Sequence, residues 1–286
     1  MTLVVTPEQR EASAITKDEW REYTKTVWSI ANTTDSEHPA VFPPEIPKRL
    51  IKMFSFVGEA VLDPFGGTGT TGRVAAELHR RGICIDQSDI YYQRMLREKL
   101  LLNGVGHLVE PALGDARRLE LEDESVGLAI TSPPYWNKAD YGTGESNLGN
   151  IKGYLEFVES LRPAFAEVFR TLAPGRKFCV NTANVNQHTN HGLLTFPLAT
   201  DLVILLRELG FVLVNEIIWN KDGTGGRWGS ANGQRPIFGS YPYPPNFLFK
   251  NVHEYIIIAA KPPSKKATGK TVLPYDEIMR PPARES

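Results

Sequence analysis

Short apolar runs alternate with amphipathic stretches through most of the chain. Seven segments have the length and composition of strands: 60–65, 82–86, 109–114, 126–131, 177–182, 212–219 and 254–260. Helical periodicity begins near Thr70, Ser88, Ile151 and Thr195. It is clearest over 154–172, where Leu155, Val158, Leu161, Phe165, Val168 and Leu172 recur at three- and four-residue spacing, as on the buried face of a helix. Strands alternating with helices predict a mostly parallel sheet. The last two strands break this rhythm. The connection between them, 220–253, is rich in Gly, Pro and aromatics and carries no helical period, so the two are expected to pair antiparallel. The pattern predicts an α/β fold on a seven-stranded sheet with one reversed strand.

Two further stretches flank these elements. Trp20, Tyr23, Val27 and Ile30 form one amphipathic run, followed by "HPAVFPPEIPKRL", where Pro43 and Pro44 favour a turn into a helix. The segment 262–286 is rich in Pro and Lys and is expected to be a mobile tail on a single domain, 1–261, that includes the N-terminal helical segment. No internal repeat is evident.

Composition adds bounds. With 286 residues, 41% hydrophobic and 23% charged, the chain can bury a core in one large domain. Its apolar runs fall well short of the roughly 18–20 residues that span a bilayer, and no basic-then-apolar leader opens it. No membrane partner and a cytoplasmic location are expected. Cys84 and Cys179 both sit in apolar strands, which predicts buried free thiols and no metal site. The net charge of -1 is unevenly spread: residues 219–286 hold ten Lys/Arg against five acids, +5, which leaves -6 on residues 1–218. A basic end on an acidic body is compatible with a phosphate backbone as partner.

The first chemical signal is "AVLDPFGGTGTTGRVAAEL", a strand, an acid, a Gly-rich turn and a helix. Gly66, Gly67 and Gly69 permit a tight turn and close approach of a ligand, and Thr70 or Thr71 can cap the helix. A phosphate-binding loop would carry a Lys before its hydroxyl residue, and a dinucleotide loop a different glycine spacing; neither is present. Asp63 instead suits a cationic ligand group. Asp86 ends the second strand, placed for ribose hydroxyls, and Asp115 follows the third, placed for an adenine amino group.

The second signal ends the fourth strand, "VGLAITSPPYW". Two prolines hold the backbone extended and leave carbonyls without local amide partners. An exocyclic amine on a heterocycle is a poor nucleophile because its lone pair is conjugated. Acceptors on its N–H groups, here the Ser132 hydroxyl and the Pro133 carbonyl, free that lone pair. Tyr135 offers a ring on which an extruded base can stack.

Together "DPFGGTGTT" and "TSPPYW" resemble the cofactor and catalytic motifs of the amino-group DNA methyltransferases. "HPAVFPPEIPKRLIKMFSF" is similar to the segment of that family that closes over the methionine part of the cofactor, and "VNEIIWNK" and "HEYIIIAAK" resemble its late strands. The resemblance covers roughly 28–261. It implies a Rossmann-like class I methyltransferase fold, S-adenosyl-L-methionine as cofactor and double-stranded DNA as partner; a homodimer and a cognate restriction endonuclease are further partners that the family admits. Carried over residue by residue, it implies cofactor contacts at Phe42, Asp63, Pro64, Phe65, Gly66, Gly67, Thr68, Gly69, Thr70, Thr71, Asp86 and Asp115, and catalysis at Ser132, Pro133, Pro134 and Tyr135. Within the family, Ser before Pro-Pro-Tyr is typical of cytosine N4 enzymes, and Asp or Asn of adenine N6 enzymes; one hydroxyl can serve either amine. RNA and protein-amide methyltransferases share related Pro-Pro-Tyr motifs, but the 38–56 segment argues against them. Two intact motifs argue against an inactive binding module.

The cofactor motif precedes the catalytic one, an order expected to place a recognition domain after the catalytic half. Little beyond the Pro/Lys-rich tail follows Lys261, so recognition is expected to fall to the N-terminal segment, a partner or the loops 137–150, 186–196 and 222–250. The last holds Arg227, Trp228, Asn232, Gln234 and Arg235, side chains suited to base edges and phosphates.

Overall fold

The computed structural model describes residues 4–32, 43–136, 148–221, 242–245, 249 and 251–263. In chain order its strands are β1 (Val27–Ser29), β2 (Ala60–Asp63), β3 (Arg81–Asp86), β4 (Val109–Leu113), β5 (Val126–Thr131), β6 (Leu172–Thr182), β7 (Val185–Thr189), β8 (Gly192–Phe196), β9 (Val212–Asn220) and β10 (His253–Ala260). The helices are α1 (Pro7–Ala12), α2 (Lys17–Tyr23), α3 (Glu45–Phe54), α4 (Thr70–Glu77), α5 (Asp89–Leu100), α6 (Tyr154–Ser160), α7 (Arg162–Thr171) and α8 (Leu198–Glu208). Among the described residues, no helix is long and apolar enough to cross a membrane.

Eight strands form the main sheet in the order β1-β9-β10-β6-β5-β2-β3-β4. Only β10 is reversed: it runs antiparallel to both β6 and β9, and the other pairings are parallel. All seven expected strands are present, and the expected antiparallel pair is β9 with β10. The eighth strand corrects the count. The stretch spaced as one amphipathic run ends its helix at Tyr23 and then becomes β1, whose Trp28 lies opposite Trp219 of β9. Tyr23, Trp28 and Ile30 are buried while Trp20 and Val27 are exposed, so the helical spacing did not describe one helix.

The central strands β2 and β5 are buried along their whole length, as expected for strands covered on both faces. Alternate residues feed two cores. Ala129, Phe178, Val180 and Ile257 pack with Phe157, Phe165, Val168 and Leu202 under α6, α7 and α8. Leu128, Ile130, Cys179 and Ile256 pack with Ile46, Leu50, Val74 and Trp28 under α3, α4 and β1. Each large side chain so buried contributes about 1.5–3 kcal/mol. Both cysteines are free and buried.

Two helical expectations are corrected. The helix read over 154–172 is split into α6 and α7 at Leu161, because Pro163 has no N–H to donate back and crowds the preceding turn. Leu155, read as core-facing, is 72% exposed, and Leu172 already belongs to β6. The helix expected near Thr195 begins at Leu198; Thr195 lies in β8, which pairs only with β7 in a hairpin that follows β6. The parallel strands share one carboxyl edge, and the reversal of β10 brings its start, His253–Glu254, to that same edge.

Candidate active site

On the β2 side of this edge the chain turns through 64–69 into α4. Main-chain bonds hold the turn: Gly66 N–H donates to Ile85 O at 2.8 Å, and Gly69 N–H to Gly66 O at 2.8 Å. Asp86, at the end of β3, accepts from Gly67 N–H at 2.8 Å and Ser88 N–H at 2.9 Å, which ties β3 to the loop. Burial raises the Asp86 carboxyl above its ordinary range, and these amides oppose the rise. The cap of α4 differs from expectation. Gly69, in the left-handed conformation at φ +80°, occupies the cap position, and no side chain caps the helix. Thr71 Oγ1 donates instead to Asp63 Oδ2 at 2.7 Å, and the Thr68 and Thr70 hydroxyls meet at 3.3 Å.

Asp63 lies beneath the loop, 2% exposed. Besides Thr71 it accepts from Thr131 Oγ1 at 2.8 Å and Phe65 N–H at 3.2 Å. Burial pushes its carboxyl up to about 6, against the lowering by those three bonds. Its bond to Thr131 joins the end of β2 to the end of β5, one residue before Ser132. Asp115 follows β4 and is half-buried. It holds its own Arg117 in a fork, at 2.9 Å from Nε and 2.6 Å from Nη2, and that guanidinium keeps the carboxyl below its usual range.

The other half of the site is a cluster of side chains around Ser132. Ser132 Oγ lies 3.0 Å from the Tyr135 hydroxyl, which donates to Glu254 Oε2 at 2.9 Å. Asn181 Nδ2, on β6, donates to Tyr135 Oη at 2.6 Å and to Glu254 Oε2 at 2.7 Å. Lys221, just past β9, forms a buried ion pair with Glu254 Oε1, and its ammonium lies 4.3 Å from the centre of the Trp219 ring. Asn181, Lys221 and Glu254 are each under a tenth exposed. Among the described residues no donor reaches the Pro133 carbonyl. Trp136, at φ +51°, is buried; its Nε1 donates to Ile151 O at 3.0 Å and its ring packs on Tyr154 and Phe196.

The structure thus brings Asp63–Thr71, Asp86, Asp115 and Ser132–Tyr135 to one edge. Phe42 and the residues Arg227, Trp228, Asn232, Gln234 and Arg235 lie outside the described residues, as do 137–147 and most of 222–250. Of the three candidate recognition loops, 186–196 is the β7–β8 hairpin, which packs through Phe196 on Trp136 and exposes His188, Asn190, His191, Leu194 and Thr195. Sequence reasoning missed Thr131, Asn181, Lys221 and Glu254. The available signal was polar residues at the ends of otherwise apolar strands, in "AIT", "VNT", "WNK" and "HEY". Among the described residues, no group of three or more His, Cys, Asp or Glu is placed to hold a metal.

A family model described as DNA methylase matches residues 4–97 and 126–285. The type II methyltransferase M.MjaI of Methanocaldococcus jannaschii is 48% identical over 80 residues, 26% of this chain and 26% of that protein. M.XycI of Xanthomonas campestris pv. cyanopsidis is 32% identical over 155 residues, 45% of this chain and 51% of its own length. The matches therefore span about a quarter to a half of these relatives. A solved S-adenosylmethionine-dependent methyltransferase from Methanosarcina mazei superposes with a TM-score of 0.50 at 14% identity, covering 75% of this chain and 97% of that one, a likeness of fold alone.

Proposed function

The chain belongs to the DNA methylase family, and we propose that it methylates the exocyclic N4 of a cytosine flipped out of duplex DNA. The methyl donor is S-adenosylmethionine. The observation that carries the reading is the Asp63–Thr131 hydrogen bond. It fastens the glycine loop to the strand that ends in Ser132-Pro133-Pro134-Tyr135, so a ligand on the loop and a base on the motif lie side by side.

The loop fits the donor. It has no lysine for phosphates, its glycines let the turn lie close against Cys84 and Met95, and acids stand at three successive strand ends. Pro64, Phe65, Gly66, Gly67, Thr68, Gly69, Thr70 and Thr71 would line the methionine part, with Phe42 from the upstream segment. Asp63 sets the loop's shape, Asp86 would take the ribose hydroxyls, and Asp115 would share itself between Arg117 and the adenine. When bound, S-adenosylmethionine supplies an electrophilic methyl on a sulfonium. Tyr135 presents a ring for the flipped base. Ser132 Oγ and the Pro133 carbonyl accept from the amine and turn its lone pair out of conjugation; Pro134 keeps the segment extended. The methylated nitrogen sheds its proton to solvent. Arg227, Trp228, Asn232, Gln234, Arg235 and the exposed face of the β7–β8 hairpin are the proposed readers of DNA.

Ser before the Pro-Pro-Tyr run supports cytosine N4 over adenine N6. The test is methyl transfer to mixed-sequence duplex DNA followed by nucleoside mass spectrometry. N4-methylcytosine is expected, with Ser132→Ala about 10²–10³-fold slower at unchanged cofactor binding. N6-methyladenine would overturn the choice of base. Transfer to RNA alone, or to neither, would overturn DNA as substrate.

A further inference from the structure

Glu254 enters the site from the reversed strand, and its charge dictates how protons are shared there. A carboxylate only accepts hydrogen bonds. Its Oε1 takes the Lys221 ammonium, while its Oε2 takes Asn181 Nδ2 at 2.7 Å and the Tyr135 hydroxyl at 2.9 Å. Tyr135 has a single hydroxyl proton. Turned elsewhere, it would leave two oxygens 2.9 Å apart with no proton between them. The phenol therefore donates to Glu254, and its oxygen accepts from Asn181 at 2.6 Å and from Ser132 at 3.0 Å. The two amide hydrogens of Asn181 serve its two short contacts; its 3.5 Å approach to Ser132 lies beyond a normal N–H···O bond. The Ser132 proton thus points at Tyr135, and both Ser132 lone pairs remain to accept.

We infer that the buried Lys221–Glu254 pair, acting through Tyr135 and Asn181, holds Ser132 as a pure acceptor and so selects an amine over a carbonyl oxygen on the flipped base. The inference rests on the function proposed above and deepens it. Lys221, Asn181 and Glu254 do not touch the base; they are positioning residues. An –NH₂ placed between Ser132 Oγ and the Pro133 carbonyl donates to both. A thymine or guanine carbonyl at the same place sets lone pair against lone pair. The hydroxyl, which can ordinarily either donate or accept, is thereby limited to one role by a charge two hydrogen bonds away.

Glu254→Gln keeps the size and reverses the chain. The new amide can donate to the Tyr135 oxygen, the phenol proton turns to Ser132, and the Ser132 proton turns to the base. Single-turnover transfer should fall about 100-fold while calorimetric cofactor binding is unchanged. Tyr135→Phe keeps the stacking ring and breaks the same chain, so it should lose a similar amount, and the two together no more than either alone. Additive losses would overturn the inference. Lys221→Met with Glu254→Gln leaves no lone buried charge and should melt near the parent chain, yet stay slow. Recovery of rate together with stability would show a merely structural pair and overturn the inference. Proton NMR decides without turnover. The parent chain should show a far-downfield Tyr135 hydroxyl resonance, absent in Tyr135→Phe and moved in Glu254→Gln. Its absence from the parent overturns the inference; its presence in a chain that methylates no nucleoside overturns only the proposed function.

Discussion

The two halves of the site are built by opposite routes. Around the glycine loop, most partners are near in sequence: Thr71 is eight residues from Asp63 and Gly67 is 19 from Asp86, while the Asp63–Thr131 bond reaches across 68. On the base side, the contacts are side chain to side chain, and Tyr135 meets Glu254 across 119 residues. The first half is held largely by the path of the backbone and by glycines packed against Cys84 and Met95. The second exists only when β5, β6, β9 and β10 are in register, and it places a charge where there is little water to replace a lost partner. Damage should therefore differ in kind between the halves. Breaking the buried pair on one side should cost the most, and changes around the glycine loop should cost less.

The largest expected effect tests that directly. Lys221→Met removes one member of an ion pair whose two side chains are 6% and 10% exposed, and leaves the Glu254 carboxylate without its countercharge. Breaking such a pair costs about 3–5 kcal/mol, far more than an exposed pair, which is worth about 0–1 kcal/mol. The exposed pairs that Arg162 makes with Glu159 and Glu208 are the internal control. Urea unfolding of Lys221→Met and Arg162→Met measures both. Equal losses would show that burial at the base side does not set its energetics.

On the cofactor side the comparable quantity is the ionisation of Asp63. Its carboxyl, ordinarily 3.8, is pushed up to about 6 by burial, so the fold holds its proton more tightly than the unfolded chain does. The stability this proton confers is complete below about pH 4 and is lost as pH rises through about 6. A shift of that size corresponds to about 3 kcal/mol. Asp63→Asn does not titrate. The stability of the parent relative to Asp63→Asn should therefore fall by about 3 kcal/mol from about pH 3 to about pH 8, read from paired denaturation curves across that range. A pH-independent difference would mean that the three hydrogen bonds to Asp63 offset its burial.

The same contrast explains what could be read in the sequence. The glycine-loop half of the candidate site was legible because strand, acid, glycines and helix are contiguous in "AVLDPFGGTGTTG". The reversed strand was legible because no helix period separates 212–219 from 254–260. β1 was not: its three residues sit in a run with helical spacing, and they become a strand only by pairing with β9, nearly two hundred residues later. The break between α6 and α7 was written in Pro163 but outweighed by the periodicity around it. Glu254 gave only the weakest local sign. An acid opening "HEYIIIAA" looks like an ordinary polar strand end, and its meaning depends on Lys221, Asn181 and Tyr135, which only tertiary pairing supplies.

The smallest effect sharpens the comparison at the level of one methyl group. Gly69 in the cofactor turn and Gly192 in the β7–β8 hairpin both have positive φ, +80° and +95°. A side chain in the left-handed region costs roughly 1–2 kcal/mol at either. They differ in surroundings: a Cβ on Gly192 meets nothing within 4 Å, whereas one on Gly69 would stand 2.8 Å from Met95 Cγ. Gly192→Ala should therefore lose only the backbone cost, and Gly69→Ala that cost plus the displacement of Met95, a flexible side chain that can move. Met95→Ala combined with Gly69→Ala should bring the coupling to light as a loss smaller than the sum of the two single changes. Thermal unfolding of the four variants decides it. Strict additivity would mean that α5 gives way without resistance, and that the cofactor turn is held by its own main-chain bonds and by Asp86 rather than by the helix packed behind it.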